Sequence, residues 1–177
     1  MKNYLIKTSR LGLRQWISSD KVPFAEMNGD ARVMEHFPKG LTLDESDSLY
    51  ELLKLHYDNH GFTYFSVDEL ATDRFIGFIG MKHQTYDADF TPAIDIGWRL
   101  GPSAWGKGYA TEGAQACLDA AKKQFGIDTV ISVCTHKNTS SEKVMQKLGM
   151  TKKYSFNHPA LDVNSGLNPC VLYTIDL

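Results

Sequence analysis

The alternation of apolar and polar positions along the chain predicts strands in its first, middle and last parts, with helices between them. Period-two runs indicate strands, and apolar residues at three- and four-residue spacing indicate helices. Strands are expected at residues 8–15, 62–68, 74–82, 93–100, 129–135, 150–156 and 169–175. Helices are expected after residue 20, at 32–36, after residue 42, at 110–125 and at 139–148.

Two of these helices begin at recognisable signals. Ser18-Ser19-Asp20 is typical of an N-cap, and Thr42 with Glu45 fits a capping box. The order strand, helix, strand over residues 93–135 predicts a crossover between parallel strands. The expected fold class is α/β, with a mixed sheet flanked by helices.

Composition narrows the class of protein. The 177 residues are 42% hydrophobic, which suits one domain over residues 1–177. With 19 basic and 21 acidic residues, the net charge of −2 gives no general attraction to nucleic acid or anionic membranes. No run of about 18 apolar residues predicts a membrane span. We expect a cytoplasmic protein, monomeric or homodimeric, with neither nucleic acid nor membrane as partner.

The cysteines indicate neither a disulfide framework nor a metal site. They are odd in number, widely spaced and without a Cys-x-x-Cys pair: Cys117, Cys134 and Cys170. Free thiols in a reducing compartment and no bound metal are therefore expected.

A run of small residues joins the strand at 93–100 to the helix at 110–125. It reads Ala104-Trp105-Gly106-Lys107-Gly108-Tyr109-Ala110-Thr111. Amide groups at a helix start lack partners and lie at the positive end of the helix dipole, so they suit a phosphate. Gly-x-Gly alone is common in ordinary turns. A P-loop is disfavoured because Gly-Lys-Gly-Tyr lacks the Ser or Thr that serves magnesium.

Several motifs together are more specific than this loop. They are Leu11-Gly12-Leu13-Arg14, Ile94-Asp95-Ile96-Gly97-Trp98-Arg99-Leu100, the glycine loop, Asn138-Thr139-Ser140-Ser141 and Lys147-Leu148-Gly149-Met150. In this order they resemble the acetyl-CoA-dependent N-acetyltransferases of the GNAT superfamily, and most of all the RimJ/RimL branch, whose named members acetylate N-terminal amines of ribosomal proteins. The resemblance covers nearly the whole chain. It implies a GNAT-like fold in which two parallel strands splay apart around the acyl donor.

The resemblance also implies which residues bind acetyl-CoA. Gly108 and Ala110 match the end of the family's pyrophosphate signature, whereas Trp105 replaces its first polar residue. The ammonium group of Lys107 either contacts a phosphate or is solvated, and both alternatives stay open. The implied contacts come from Trp98, Arg99, Leu100, Trp105, Gly106, Lys107, Gly108, Tyr109, Ala110, Thr111, Asn138 and Ser141.

The two faces of the strand at 93–100 differ in character. Alternation places on one face, where polar substrate contacts are expected, Asp95, Gly97 and Arg99. The other face is expected to belong to the core and carries Ile94, Ile96, Trp98 and Leu100.

Acetyl transfer from a thioester needs a neutral amine held in line rather than an enzyme nucleophile. An α-amine of pKa ~7.8 is roughly a quarter neutral near pH 7.4, and a lysine-like amine of pKa ~10.4 only about 0.1%. Candidate bases are Asp95 and His83, with an ion pair and a surface position as their structural alternatives. Glu112 suits the helix dipole, and His136 follows the parallel strand.

A proton donor for the leaving thiolate is implied only by the resemblance. Many relatives carry a tyrosine seven residues after the asparagine, but Met145 stands there. RimL-like sequences have a serine three residues after it, which Ser141 matches. The structural alternative is that Asn138 or Thr139 caps the helix, with Glu142 completing a capping box.

These observations predict an acetyl-CoA-dependent N-acetyltransferase that works by direct attack in a ternary complex. The acceptor stays open between a protein N-terminus and a small amine such as an amino acid, a polyamine or an aminoglycoside-like molecule. A catalytically silent acyl-CoA-binding sensor is the alternative of a different class. Acceptor determinants are expected in residues 24–60 and in the loop at 157–168.

Overall fold

The computed structural model describes residues 2–162 and 164–177. An eight-stranded sheet has the order β1-β2-β3-β4-β5-β6-β8-β7. Its strands are β1 (Ile6–Lys7), β2 (Leu11–Arg14), β3 (Tyr64–Glu69), β4 (Arg74–Gln84), β5 (Ala93–Leu100), β6 (Thr129–Thr135), β7 (Thr151–Phe156) and β8 (Cys170–Asp176). The helices are α1 (Lys21–Gly29), α2 (Leu43–His60), α3 (Tyr109–Phe125) and α4 (Thr139–Lys147).

The sheet contains a parallel pair, β5 and β6, among otherwise antiparallel neighbours in the described part of the chain. The pairing of these two strands is limited to Asp95 opposite Ile131. Just beyond it, the Ser132 hydroxyl donates to the carbonyl of Ile96 at 2.9 Å. The strands then separate and leave a wedge between residues 97–100 and 133–135. The predicted α/β class and splayed parallel pair are confirmed.

Two apolar clusters cover opposite faces of the sheet. Phe78 and Ile79 are neighbours in β4, so their side chains point to opposite faces. Ile79 lies in the larger cluster, under α3, where a Cβ on Gly113 would come within 2.4 Å of its Cδ1. Phe78 lies in the smaller cluster, with residues of α1 and α2 that include Phe24, Tyr50 and Leu53. The sheet is therefore packed on both faces.

The alternation predicted for β5 is confirmed. Its apolar residues pack in or against the larger cluster: Ile94, Ile96, Trp98 and Leu100. Because Phe78 pairs with Arg99 across the antiparallel ladder, Arg99 shares its face. Arg99, Gly97 and Asp95 therefore turn toward α1 and α2.

Two predicted elements at the start of the chain differ from the structure. The strand expected at 8–15 is shortened to β2, and the unpredicted strand β1 precedes it in a hairpin; the Thr8 amide donates to the Leu11 carbonyl at 2.9 Å in the turn between them. The short helix expected at 32–36 is a series of turns. Pro38 comes two residues after this stretch and disfavours helical geometry at Phe37, so a helix here could not extend further.

The two predicted helix starts have different outcomes. Asp20 does not cap α1 with its side chain, because its carboxylate accepts hydrogen bonds from the Ile17 amide and from the buried guanidinium of Arg14. Thr42 and Glu45 form the expected reciprocal capping box at the start of α2. Because the Asp20 carboxylate is bound by arginine, it cannot cap the helix. The local sequence around residue 20 does not show this interaction.

Two further expectations concern the chain as a whole. All three cysteines are free thiols, with Cys117 and Cys170 buried. Within residues 2–162 and 164–177, the helices are too short or too polar to cross a membrane.

Candidate active site

The glycine loop opens α3 with a row of free amide groups. Gly106 and Gly108 have φ values of 73° and 78°, a left-handed conformation that glycine adopts without strain. The first helical bond runs from the Glu112 amide to the Gly108 carbonyl at 3.0 Å. Over the described residues, the amides of 106–111 donate no hydrogen bond to another group of the protein. The loop can therefore receive an anion through its backbone.

The charged side chains around this loop pair with one another. Lys107 Nζ lies 3.5 Å from Glu69 Oε1, which also accepts the Tyr109 hydroxyl at 2.6 Å. Arg10 pairs with Glu112 at 2.5 Å and donates to the Lys107 carbonyl at 2.9 Å. Glu112 thus has the structural role expected for it. Lys107 is 47% exposed and keeps access to solvent on the loop's outer side.

The wedge exposes the main chain of Trp98. In an antiparallel pair, residues two apart present their N–H and C=O groups to the same edge. The Ile96 carbonyl points toward β6, so the polar groups of Trp98 also point there, beyond the last paired residue. Two residues on, the Leu100 carbonyl accepts the Trp105 indole N–H at 2.7 Å. Trp98 therefore offers a donor and an acceptor to a ligand in the wedge.

The start of α4 lies across the wedge from this edge. Asn138 Oδ1 accepts the Ser141 amide at 3.0 Å and is the side-chain cap of α4. Glu142 takes no part, since its carboxylate accepts Lys152 at 2.9 Å and the Tyr173 hydroxyl at 2.7 Å. The alternative Thr139–Glu142 capping box is therefore wrong. The Ser141 hydroxyl has no protein partner in the described ranges and is free for a ligand.

The topology brings these two ligand-facing segments together. Parallel strands end at the same edge of a sheet, and ligands bind there in the crevice outside their carboxyl ends. The glycine loop follows β5, and Asn138 with Ser141 follows β6. The two segments flank the open end of the wedge.

Other side chains that could donate a proton have partners elsewhere, and the residue at the position of the family tyrosine cannot donate one. Met145, at the position of the family tyrosine, is 1% exposed in the larger core cluster. Tyr109 donates to Glu69, and Tyr154 donates to Asp89 at 2.7 Å. His136 is exposed, with Nδ1 2.9 Å from the Pro169 carbonyl.

Asp95 lies at the closed end of the wedge. It is 8% exposed and accepts a hydrogen bond from the Tyr64 hydroxyl. Burial raises the pKa of Asp95 to about 7, although Tyr64, Gln84 and Lys82 favour the charged form. A carboxyl group with this pKa exchanges a proton near neutral pH, as a general base requires.

Tyr64 was not identified from the sequence as part of this site. Its hydroxyl donates to Asp95 and accepts from Gln84 at 3.2 Å, and burial raises its pKa well above the usual value. Its strand partner is Gly80, which in turn pairs with Gly97 on β5. A Cβ on Gly97 would lie 3.2 Å from the Tyr64 ring, so glycine there leaves room for it. Two glycines paired across neighbouring strands, here Gly80 and Gly97, are the sequence signal that indicates space for an aromatic ring on the sheet.

His83 lies apart from Asp95. It pairs with Ile94, whereas Lys82 pairs with Asp95, so the two candidate bases face opposite sides of the sheet. His83 Nδ1 lies 3.2 Å from His56 Nε2, and His60 completes a group whose ring nitrogens lie within 4.8 Å of one another. Burial lowers the pKa of His56 to about 4 and also lowers that of His83.

These three histidines are compact enough to hold a small metal ion. His56 Nδ1 faces the Phe62 carbonyl at 2.7 Å, which directs Nε2 toward the group. However, the His83 amide already donates to that Nε2 at 3.2 Å. The group is thus a self-contained hydrogen-bonded cluster as it stands, and the structure does not bring it together with Asp95.

The side chain of Arg99 lies on the face of the sheet opposite to α3, the helix that follows the glycine loop. Its Nη1 donates to Asn28 Oδ1 at 2.7 Å, and burial lowers its pKa to about 10. The guanidinium lies 4.2 Å from the Phe37 ring centre and 5.3 Å from that of Phe78. The side chain therefore belongs to the face where polar substrate contacts are expected, and the main-chain N–H and C=O of Arg99 point toward β4 rather than into the wedge. The main-chain cofactor contact expected for Arg99 is not supported by this register.

Comparisons with known proteins agree with this geometry. The family model for the acetyltransferase (GNAT) domain matches residues 10–151. The uncharacterised N-acetyltransferase YnaD of Bacillus subtilis is 30% identical over 151 residues, covering 85% of each chain. An acetyltransferase of the GNAT family from Bacillus anthracis superposes with a TM-score of 0.78 at 26% identity, covering 97% of each chain.

The fold is also shared with RimL, a ribosomal L7/L12 α-N-protein acetyltransferase solved in complex with coenzyme A. The TM-score is 0.77 at 15% identity, over 96% of each chain. The chain belongs to the GNAT acetyltransferase family, with RimL-like structural neighbours, and is an N-acetyltransferase.

Proposed function

We propose that the protein transfers the acetyl group of acetyl-CoA to a primary amine by direct attack in a ternary complex. One observation carries the proposal: β5 and β6 pair at a single position and open beside a loop of unpartnered amides. GNAT acetyltransferases use acetyl-CoA, and the wedge has the polar groups such a donor needs.

The residues that would hold acetyl-CoA fit its chemistry. The amides of the glycine loop and the start of α3 bind the pyrophosphate: Gly106, Lys107, Gly108, Tyr109, Ala110 and Thr111. The N–H and C=O of Trp98 bind the amides of the pantetheine arm, and Leu100 continues that edge, whereas the main-chain groups of Arg99 point toward β4. Trp105 braces the edge through Leu100. Asn138 shapes the opposite wall by capping α4.

Two side chains are proposed to manage the protons of the reaction. The amine nitrogen attacks the thioester carbonyl, and the sulfur leaves as coenzyme A. Asp95 accepts the proton that the amine loses, because its pKa of about 7 lets it be ionised at neutral pH. The Ser141 hydroxyl, which lacks a protein partner, donates to the departing sulfur. His83 is not included, because it faces the other side of the sheet.

The acceptor is proposed to enter from the side of α1 and α2. That side carries Asp95 and Arg99, and residues 30–42 join its two helices. A protein N-terminal α-amine and a small-molecule amine are both compatible with this entrance. Their chemistry differs mainly in the neutral fraction of the amine at pH 7.

Acetyl-CoA binding gives the first test. A ligand at 100 times its Kd stabilises the native state by about 2.7 kcal/mol, which raises the melting temperature of a protein of this size by roughly 5–10 °C. Differential scanning fluorimetry with acetyl-CoA up to millimolar concentrations should show this shift. No shift at millimolar acetyl-CoA would remove the basis of the proposal.

Thiol release then tests transfer. Free coenzyme A is followed with a thiol reagent while acetyl-CoA is offered α-amino peptides, free amino acids and polyamines. Release that depends on one class of amine identifies the acceptor class. Acetyl-CoA binding without release against the whole panel would contradict the transferase function and favour an acyl-CoA sensor.

A further inference from the structure

The guanidinium of Arg99 has fewer partners than its burial requires. Its Nη1 donates to the neutral amide of Asn28, which in turn donates to Ser46 at 2.9 Å. Its Nε is buried and has no hydrogen-bond partner. No carboxylate in the described ranges forms an ion pair with Arg99. The side chain as a whole is partly exposed, and a guanidinium with a covered, unpartnered Nε and no opposite charge does not add to stability.

The surroundings fix the orientation of this cation. The rings of Phe37 and Phe78 lie against the guanidinium at 4.2 Å and 5.3 Å, an arrangement that aromatic faces favour. Asn28, fully buried, holds one end of the fork. The remaining donors are thus preorganised, as bidentate recognition of an oxyanion requires.

Arg99 also lines an open cleft of about 480 Å³. The cleft lies between the segment that precedes α2 and the first half of α2, and its apolar lining includes Met34, Phe37, Leu41, Leu49 and Leu52. Its other charged residues, Lys39 and Glu45, pair with each other at 2.5 Å. Arg99 is therefore the cation in this lining that lacks a carboxylate partner within the described residues.

The cleft lies on the same side of the sheet as Asp95, the proposed proton acceptor, because Arg99 lines it and shares a face of β5 with Asp95. Between them, the Tyr64 ring stacks on Phe78 with centroids 5.2 Å apart. The Tyr64 hydroxyl reaches Asp95, and the Phe78 ring touches Arg99. An acceptor that lay along these two rings would have the proton acceptor at one end and the guanidinium at the other.

Building on the acetyltransferase function proposed above, we propose that Arg99 binds a carboxylate or similar oxyanion of the acceptor, while the cleft takes the acceptor's apolar part. The acceptor is then an amine that carries an anionic group. Polyamines, which bear only positive charge, are poor acceptors because a second cation would face an unpaired guanidinium.

The binding half is tested without turnover. Hexanoate carries a carboxylate and an apolar chain but no amine, and hexan-1-ol is its neutral match. With coenzyme A present, hexanoate should raise the melting temperature of the wild-type protein and hexan-1-ol should not. The shift should disappear in Arg99→Gln, persist in part in Arg99→Lys, and be unchanged in Lys54→Gln, which removes an exposed cation of α2 that lies outside the cleft lining.

The acceptor half uses matched amines in the thiol-release assay. 6-Aminohexanoate should exceed hexylamine in kcat/KM by about 10- to 100-fold, the range of a hydrogen bond to a charged group. Arg99→Gln should bring this ratio close to one. Leucine and leucinamide repeat the comparison with a shorter spacing, and spermidine should be the poorest acceptor.

The inference is overturned if Arg99→Gln changes neither the hexanoate shift nor the ratio, or if Lys54→Gln abolishes both. A preference of the wild type for spermidine also overturns it. Failure of the acetyltransferase function is recognised separately, because acetyl-CoA would then cause no melting shift in any variant.

Discussion

At the scale of single residues, the candidate site depends on burial that changes what a side chain can do. Asp95 gains a pKa near neutrality because the sheet excludes water from it, whereas an exposed carboxylate would be a weak base. Ser141 offers a hydroxyl with no protein partner at the start of α4. The catalytic roles of Asp95 and Ser141 are proposals. A substitution of similar shape at each position distinguishes a catalytic role from a purely structural one.

The first prediction concerns Asp95. If it accepts the amine proton, Asp95→Asn should lower kcat/KM by about 100-fold or more, since an amide of the same shape cannot take a proton. In the wild type, kcat/KM should rise as pH passes through about 7, because Asp95 must be deprotonated to act. That ionisation should be absent in Asp95→Asn, leaving only the ionisation of the amine.

Thiol release between pH 5.5 and 9 measures this profile. Asp58→Asn, which changes an exposed carboxylate on α2, is the control and should match the wild type. An Asp95→Asn enzyme that keeps the step near pH 7 would exclude Asp95 as the base.

The second prediction concerns Ser141. Ser141→Ala should lower kcat by roughly 10-fold or more while the KM for acetyl-CoA changes little, because the hydroxyl acts on the departing sulfur. Ser140→Ala, at the exposed neighbouring position, should leave both constants unchanged. Equal turnover of the two variants would remove Ser141 from the mechanism.

The residues that sequence could and could not identify differ in a physical way. Asn138 and Ser141 lie in one contiguous motif, so they were found together. Tyr64 and Asn28 act on Asp95 and Arg99 across 31 and 71 residues of chain, and such contacts depend on strand register. Asp20 was misassigned as a cap for the same reason, because its partner Arg14 is recognisable only once both are buried.

At the scale of elements, α3 has a glycine at each end, and the proposed pyrophosphate site lies at only one of these ends. Gly108 precedes the helix with φ of 78°, and Gly126 follows it with φ of 65°. Neither has a protein atom close enough to clash with an added Cβ. The backbone strain of a substitution is therefore similar at the two positions, but only Gly108 borders the proposed pyrophosphate site.

This pair supplies the third prediction. Gly108→Ala and Gly126→Ala should each lose about 1 kcal/mol of stability, from left-handed strain. Only Gly108→Ala should also raise the KM for acetyl-CoA, by about 10-fold or more, because its methyl group and altered backbone disturb the amides at the helix start. Urea titration and steady-state kinetics measure the two effects. A similar rise in KM for Gly126→Ala would refute the site-specific explanation.

Elements with strong local signals were predicted closely. The strand at β5, helix α3 and the Thr42 capping box follow from periodicity and cap chemistry. The hairpin of β1 and β2 and the turns at 31–36 were not predicted, because a short turn within a mixed apolar stretch gives no distinct period. The alternation of apolar and polar residues alone predicts which face of β5 carries Asp95, Gly97 and Arg99.

At the scale of the whole molecule, a buried ionic group ties the start of the chain to the sheet. Arg14 on β2 binds Asp20 and Asp68 on β3 at 2.7–2.9 Å, and all three side chains are at most 3% exposed. The group fixes the entry to α1, which carries Asn28 and therefore supports the Arg99 cleft.

The fourth prediction tests this group. Arg14→Met should cost about 3–5 kcal/mol of unfolding free energy, because it leaves buried Asp20 without a cation and buried Asp68 with Lys2 alone. Arg32→Met removes an exposed pair with Asp30 and should cost less than about 1 kcal/mol. Urea denaturation measures both. A loss below about 1 kcal/mol for Arg14→Met would show that the carboxylates find other partners.

The single backbone pairing between β5 and β6 means that the sheet consists of a five-stranded and a three-stranded half. Side chains of the larger cluster, among them Ile79 and Val171, hold the halves together. The acyl donor can therefore enter without breaking any ladder. A bound acyl donor would bridge β5 and β6 where the two strands are not hydrogen-bonded to each other. Binding of the donor should therefore make the two halves of the sheet move as one body.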